Sequence, residues 1–268
     1  MIELFDGDRR EEHRQSSKGN QLKWKNNSVW YKADYTGYEG LSEYVVSRLL
    51  LHSSLEEKEF IIYDTEEIKY KKISYLGCCS NNFLPEGWKL ITLERLFQSF
   101  YNVGLNKSIY EIDGVKNRIE FLVEQTERIT GLKKFGKYIS KLITIDALFL
   151  NEDRHTHNIA VLLDDIDEFH YCPIFDNGAS LLSDTTMDYP MNTEVPILIS
   201  EVKSRTFCND FEEQLEAVEE LYGQNVKFQF TVKDIEDILA QECYYSEAVK
   251  SRVKEIVLEQ KRKYNYLF

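Results

Sequence analysis

The stretch Leu150-Asn151-Glu152-Asp153-Arg154-His155-Thr156-His157-Asn158 concentrates groups able to do acid–base and metal chemistry. It follows one apolar run and precedes another. Asp153 and Asn158 are five residues apart, and eighteen residues later Asp176-Asn177-Gly178 closes the next apolar segment. A carboxylate, an amide and a second carboxylate in this order suit phosphoryl transfer. One carboxylate orients the attacking hydroxyl or accepts its proton. Oxygen ligands hold Mg²⁺ against a triphosphate, and cations neutralise the charge that develops. Asp153 fits the first role, and Asn158 and Asp176 fit the metal-binding role. Gly178 suits a sharp turn after the second ligand.

Each segment alone reads equally as an ordinary turn, because Asp, Asn and Gly are common there. Their joint occurrence around a hairpin is the more specific signal, and it matches the spacing of kinase catalytic motifs. A competing reading makes His155, His157 and Asp153 a transition-metal site, but no third soft ligand is near and Arg154 repels a cation. The plainer role for His155 is a hydrogen-bonding support under the loop.

Upstream, Lys32 sits within the apolar strand Val29-Trp30-Tyr31-Lys32-Ala33, and Glu43 follows eleven residues later on a helical segment. A solvated edge lysine is one reading of Lys32. Paired with Glu43, it instead becomes a device for aiming an ammonium at the α- and β-phosphates of ATP. Glu39 is the fallback partner. Ser16-Ser17-Lys18-Gly19 ahead of the strand forms a polar turn whose N–H groups could cover phosphates, with Ser17 and Gly19 as the candidate contacts. With one glycine it is neither a Walker A motif nor a full glycine-rich loop, and a surface loop is the alternative.

The elements that must position these groups follow from periodicity. Residues 6–20 are polar and read as a mobile loop. Leu22–Trp24 and Val29–Ala33 flank the Asn26-Asn27 turn signal as a hairpin, with Val29, Tyr31 and Ala33 on one face. Leu41–Leu51 has helical spacing, and Phe60–Tyr63 and Lys72–Leu76 are strand candidates. Gly77, Asn81, Asn82, Pro85 and Gly87 then mark an irregular stretch. Helices are expected over Thr92–Tyr101, Val115–Thr130, Phe135–Leu150 and Ser246–Lys263. A hairpin of Ile159–Leu163 and His170–Phe175 turns at Asp164–Glu168. The class is α+β: a small β-rich N-lobe over residues 1–88 and a larger helical C-lobe over residues 89–268 with an inserted β-hairpin.

Composition bounds the partners. The 268 residues are 43% hydrophobic, with 17 Tyr and 15 Phe, enough for a sizeable core. The formal charge of −13 repels phosphate backbones, so no direct nucleic-acid binding is expected, and no membrane association. The five cysteines form no CxxC pair and are expected as buried free thiols. No signal-peptide-like segment opens the chain, so a cytoplasmic location is expected, with leaderless export left open.

The motifs Asn151–Asn158 and Ile174-Phe175-Asp176-Asn177-Gly178 resemble those of the HipA-like serine/threonine kinases. Val29–Ala33 with Gly40–Val46 resembles the lysine strand and following helix of that family's short, CtkA-type single-domain branch. The resemblance spans about residues 16–215 and implies a two-lobed protein-kinase-like fold. It implies Asp153 as catalytic base, Asn158 and Asp176 as Mg²⁺ ligands and Lys32 as the ATP-phosphate lysine. It also implies a hinge near Leu76–Ser80, including Cys79, that meets adenine through its backbone. The partners implied are ATP and a protein substrate with a Ser or Thr acceptor; an antitoxin-like partner fits the family, and nothing in the sequence calls for one. A phosphoinositide or small-molecule kinase and a nucleotide-binding pseudokinase are the alternatives. Some members autophosphorylate in the phosphate loop, the region of Ser16 and Ser17. Mass spectrometry after incubation with Mg-ATP is expected to find phosphate on Ser16 or Ser17; unmodified serines in a protein active on other substrates contradict this.

Overall fold

The Asn26-Asn27 signal marks a hairpin. In the computed structural model, which describes residues 1–10 and 21–268, Asn27 adopts a left-handed conformation (φ 53°) between antiparallel strands. The described elements are, in chain order, β1 (Ile2–Leu4), β2 (Arg9–Arg10), β3 (Lys23–Asn26), β4 (Val29–Ala33), α1 (Glu39–Leu50), β5 (Asp64–Tyr70), β6 (Ile73–Asn81), β7 (Lys89–Thr92), α2 (Leu93–Tyr101), α3 (Leu105–Tyr110), α4 (Val115–Thr130), α5 (Phe135–Phe149), β8 (Ala160–Leu163), β9 (Phe169–Tyr171), α6 (Val195–Glu201), α7 (Phe211–Tyr222), α8 (Val232–Gln241) and α9 (Glu247–Lys263). The class is mixed α+β, as expected. By mutual packing the chain forms two units. One comprises Met1–Phe83, Asp176–Val202 and Phe228–Phe268; the other comprises Leu84–Phe175 and Lys203–Lys227.

Among the described residues, the first unit is built on a six-stranded sheet of order β1-β5-β6-β4-β3-β2. Alternation along β4 divides its side chains. Tyr31 and Ala33 enter a core with Leu4, Trp24, Ile68 and Tyr70, and Val29 packs against it. Lys32, on the opposite face, meets the carboxylate of Glu43 on α1. The helix can come this close because two glycines remove the obstacle. A Cβ on Gly40 would lie 2.4 Å from the carbonyl carbon of Gly77, and a Cβ on Gly77 would lie 2.0 Å from the backbone oxygen of Lys32. The start of α1 has no capping side chain at Tyr38. Asp34 supplies the function instead, accepting from Gly40 N at 2.6 Å.

In the second unit, β7, β8 and β9 form an antiparallel sheet, and α5 packs against α4 and α7. The α5 helix ends at Leu150 in a left-handed turn (φ 58°), closed by Asn151 N donating to Asp146 O at 2.9 Å. That turn launches the polar segment 151–158.

Several local expectations are corrected. Phe60–Tyr63 is not a strand: Phe60, Ile61 and Tyr63 are buried in a connecting segment, and Tyr63 N donates to Ser47 Oγ rather than to a ladder. Gly77 lies inside β6, which runs to Asn81, because the close approach of β4 favours a residue without a side chain. The second hairpin strand is only Phe169–Tyr171. In the expected loop 6–20, Arg9 and Arg10 pair with Trp24 and Lys23; residues 11–20 lie outside the described part. All five cysteines are free, but Cys243 is exposed and Cys79 and Cys208 are half-buried, so burial does not explain them as a set. Among the described residues no helix is long and apolar enough to cross a membrane.

Replacing Gly77 with Ala drives a methyl group into the Lys32 carbonyl. It is expected to cost about 2 kcal/mol or more of unfolding free energy, read as a lower urea midpoint at unchanged slope. A midpoint equal to the parent contradicts this packing.

Candidate functional site

Lys32, Glu43 and Asp176 come together within the first unit. The Lys32 ammonium donates to Glu43 Oε1 at 2.7 Å and to Asp176 Oδ1 at 2.8 Å. The other Glu43 oxygen, Oε2, accepts from Asn177 N at 2.8 Å. Glu43 therefore ties the strand lysine to the backbone beside Asp176. Burial alone would push the Lys32 ammonium down, but the carboxylates of Asp176 and Glu43 outweigh it and hold it well above the ordinary lysine value. Lys32 stays a cation. The ring of buried Tyr63 lies 5.3 Å from Nζ, and burial followed by the Glu43 charge keeps its phenol protonated.

Glu39, the fallback partner, is occupied elsewhere. Its carboxylate accepts from Thr36 N (2.7 Å), Thr36 Oγ1 (2.9 Å) and Gly37 N (3.1 Å), closing the loop that leads into α1. Its charge and the burial of Asp34 set the environment one turn away. Burial, then Glu39, push the Asp34 carboxyl up to about 7, while hydrogen bonds from Tyr245 and Gly40 pull it back.

Asp176 itself takes the left-handed turn (φ 63°), a sparsely populated conformation for a residue with a side chain. Gly178, expected to make the turn, has no such φ, and a Cβ there would be in ordinary contact with Glu39 and Glu43. The following chain is fastened to α1 and its entry loop. Ser42 Oγ donates to Ser180 O at 2.8 Å, Tyr38 Oη to Leu181 O at 2.7 Å and Tyr38 N to Ser183 O at 3.1 Å.

Asp153 and Asn158 come together within the second unit. The Asn158 amide donates to Asp153 O at 3.0 Å, and Asn151 Oδ1 accepts from Asp153 N at 3.3 Å. Thr156 Oγ1 donates to Glu94 Oε2 at 2.7 Å, which fastens the loop to α2. His155 Nδ1 accepts from His157 N at 3.2 Å, the supporting role expected for it. A histidine metal site does not form: His155 Nε2 is 3.9 Å from Asp153 Oδ2 and the two imidazoles meet edge to face. Among the described residues the one group with metal-binding spacing is Asp164, Glu168 and His170 on the β8–β9 turn. There Asp164 accepts from Ile166 N and Glu168 N, as a turn aspartate does.

Cys79, in the expected hinge stretch Leu76–Ser80, lies in β6 opposite Tyr31 on one side and Asp64 on the other. Burial pushes its thiol up to about 11. Ser16, Ser17 and Gly19 fall outside the described residues. Sequence reasoning missed Glu94 and Tyr63, whose contacts with the motif residues join separate segments, and Asp146, which meets Arg154 only because the loop folds back on the end of α5.

No family model matches the sequence, and no curated protein matches it. Among solved structures, a crystal structure of the Helicobacter pylori proinflammatory kinase CtkA matches with a TM-score of 0.59 at 16% identity. It covers 98% of this chain and 94% of its own. The fold is kinase-like. Lys32 lies on β4 and Glu43 on α1 of the first unit, and residues 153–158 lie in the segment after α5 of the second.

Asp34→Asn reproduces the protonated carboxyl. With Asp34 near 7 in the folded protein and about 3.8 when unfolded, the folded state binds the extra proton between these values. Stability from this group is therefore full at low pH and falls as pH rises towards 7, by up to about 4 kcal/mol. Urea unfolding from pH 4 to 8 is expected to show this decline in the parent and its loss in Asp34→Asn; parallel curves contradict it.

Proposed function

We propose that this chain is an ATP- and Mg²⁺-dependent serine/threonine protein kinase that transfers the γ-phosphate to a protein hydroxyl. The observation that carries the reading is the Lys32 ammonium held between Glu43 and Asp176. A cation kept charged by two carboxylates, in a setting of low exposure, suits the α- and β-phosphates of a nucleotide. Glu43 orients it, and Tyr63 walls one side.

Asp153 carries the general-base role. Its backbone is pinned at both the N–H and the carbonyl, so its carboxylate has a defined place from which to orient a substrate hydroxyl. Asn158 fits an oxygen ligand. Its amide N–H is used on Asp153 O, and among the described residues its Oδ1 has no hydrogen-bond partner. Asp176 offers the second carboxylate, one oxygen of which is already on Lys32. A bound Mg²⁺, held by Asn158 and Asp176, would neutralise charge on the phosphoryl oxygens.

In this proposal residues 1–88 carry the nucleotide-binding groups, and residues 89–268 carry the hydroxyl-activating loop and the metal ligands. This division concerns function, whereas the packing units describe which segments cohere. The base-reading backbone around Cys79, the phosphate cover by Ser17 and Gly19 and a cytoplasmic location belong to the same proposal.

The test combines binding and turnover. Mg-ATP is expected to raise the melting temperature by mass action, and phosphate is expected to pass to a generic Ser/Thr protein substrate. Asp153→Asn is expected to lower turnover by about 10²–10⁴-fold while leaving the Mg-ATP thermal shift intact. A shift without any transfer by the parent favours a nucleotide-binding pseudokinase, and transfer to lipid or small-molecule hydroxyls alone favours those substrates. Undiminished turnover in Asp153→Asn removes its role as base.

A further inference from the structure

Asp146 lies in the last turn of α5, wholly buried, and Arg154 is buried beside it in the loop that follows. The guanidinium is divided between two tasks. Nε donates to Asp146 Oδ2 at 3.0 Å and Nη2 to Oδ1 at 3.1 Å. Nη1 donates to the Phe175 carbonyl at 2.6 Å and to the Asn158 carbonyl at 3.3 Å. Phe175 immediately precedes Asp176 in the chain, and Asn158 closes the catalytic loop. Thr206 Oγ1 in turn donates to Arg154 O at 2.7 Å.

A buried ion pair is a poor device for stability alone, since apolar residues of similar volume often serve as well. What an apolar pair cannot do is hold two carbonyls of separate segments in a fixed fork. The edge of Arg154 facing Asp146 fixes its orientation, and Nη1 then holds the backbone carbonyls of Asn158 and of Phe175, the residue before Asp176.

We propose that Asp146 is a positioning residue for phosphoryl transfer: by orienting Arg154 it holds the carbonyls of Asn158 and Phe175, and so the backbone on which Asn158 and Asp176 present their oxygens. This rests on the kinase reading above. Asp146 touches neither nucleotide nor substrate; it acts through Arg154.

Two variants test it. The double variant Asp146→Leu/Arg154→Met removes the pair without leaving a buried charge. Arg154→Lys keeps the charge and the partner but loses the fork. Each is to be assayed for folding by circular dichroism and urea unfolding, then for kcat, KM for ATP and the Mg²⁺ concentration giving half-maximal rate. The double variant is expected to unfold near the parent midpoint yet lose at least tenfold in kcat. KM for ATP is expected to stay within about threefold, and the Mg²⁺ requirement to rise at least threefold. Arg154→Lys is expected to move the same two quantities in the same direction, and it alone decides the matter should the double variant fail to fold. Folded variants with the parent's kcat and Mg²⁺ requirement overturn the positioning role while leaving the kinase reading in place. A parent protein without Mg²⁺-dependent transfer removes both.

Discussion

A lysine ammonium of low exposure has to be compensated by charge, and the first unit is arranged around the two carboxylates that do so. Removing Lys32 from water costs energy that only close anions recover. Glu43 reaches it because α1 lies against β6 at the Gly40–Gly77 contact. Asp176 reaches it because the chain turns left-handed there and is then stitched to Ser42 and Tyr38. Each of these features is costly or neutral by itself: a glycine inside a strand, a left-handed aspartate, a buried glutamate. Together they produce one cation, fixed in position and protected from deprotonation.

The second unit shows the same economy with different parts. The loop 151–158 has no regular secondary structure, yet Asn151, Arg154, Thr156 and Asn158 all make hydrogen bonds. Asn151 and Asn158 brace Asp153, Glu94 holds Thr156, and Thr206 holds the Arg154 carbonyl. A loop held by side chains from α2, α5 and the segment before α7 can keep its geometry without a strand or helix beneath it. The likeness to CtkA speaks to the fold that carries such a loop, whereas the functional reading rests on the groups themselves.

Much of this was legible in the sequence where the signal is local. The Asn26-Asn27 hairpin, the helix with Glu43, α4 and α5 all follow from turn chemistry and period. The legible part fails where tertiary packing decides. Phe60–Tyr63 has strand composition but is buried without a ladder, while Gly77 looks like a breaker and is the residue that lets β4 and α1 approach. Lys32 and Asp176 are 144 residues apart, and no local pattern joins them. Asp146 reads as an unremarkable position in an apolar helix until Arg154 is seen folded back on it. The short elements β1, β2, β7, α3 and α6 have too few residues to show a period.

The central claim, that Lys32 and Asp176 are held together as a charge pair, is tested most directly by a double-mutant cycle. Lys32→Met, Asp176→Asn and the double variant are compared with the parent by urea unfolding at neutral pH. The account predicts a coupling free energy of about 1–3 kcal/mol in favour of the pair. Single effects that add to within about 0.3 kcal/mol would contradict it.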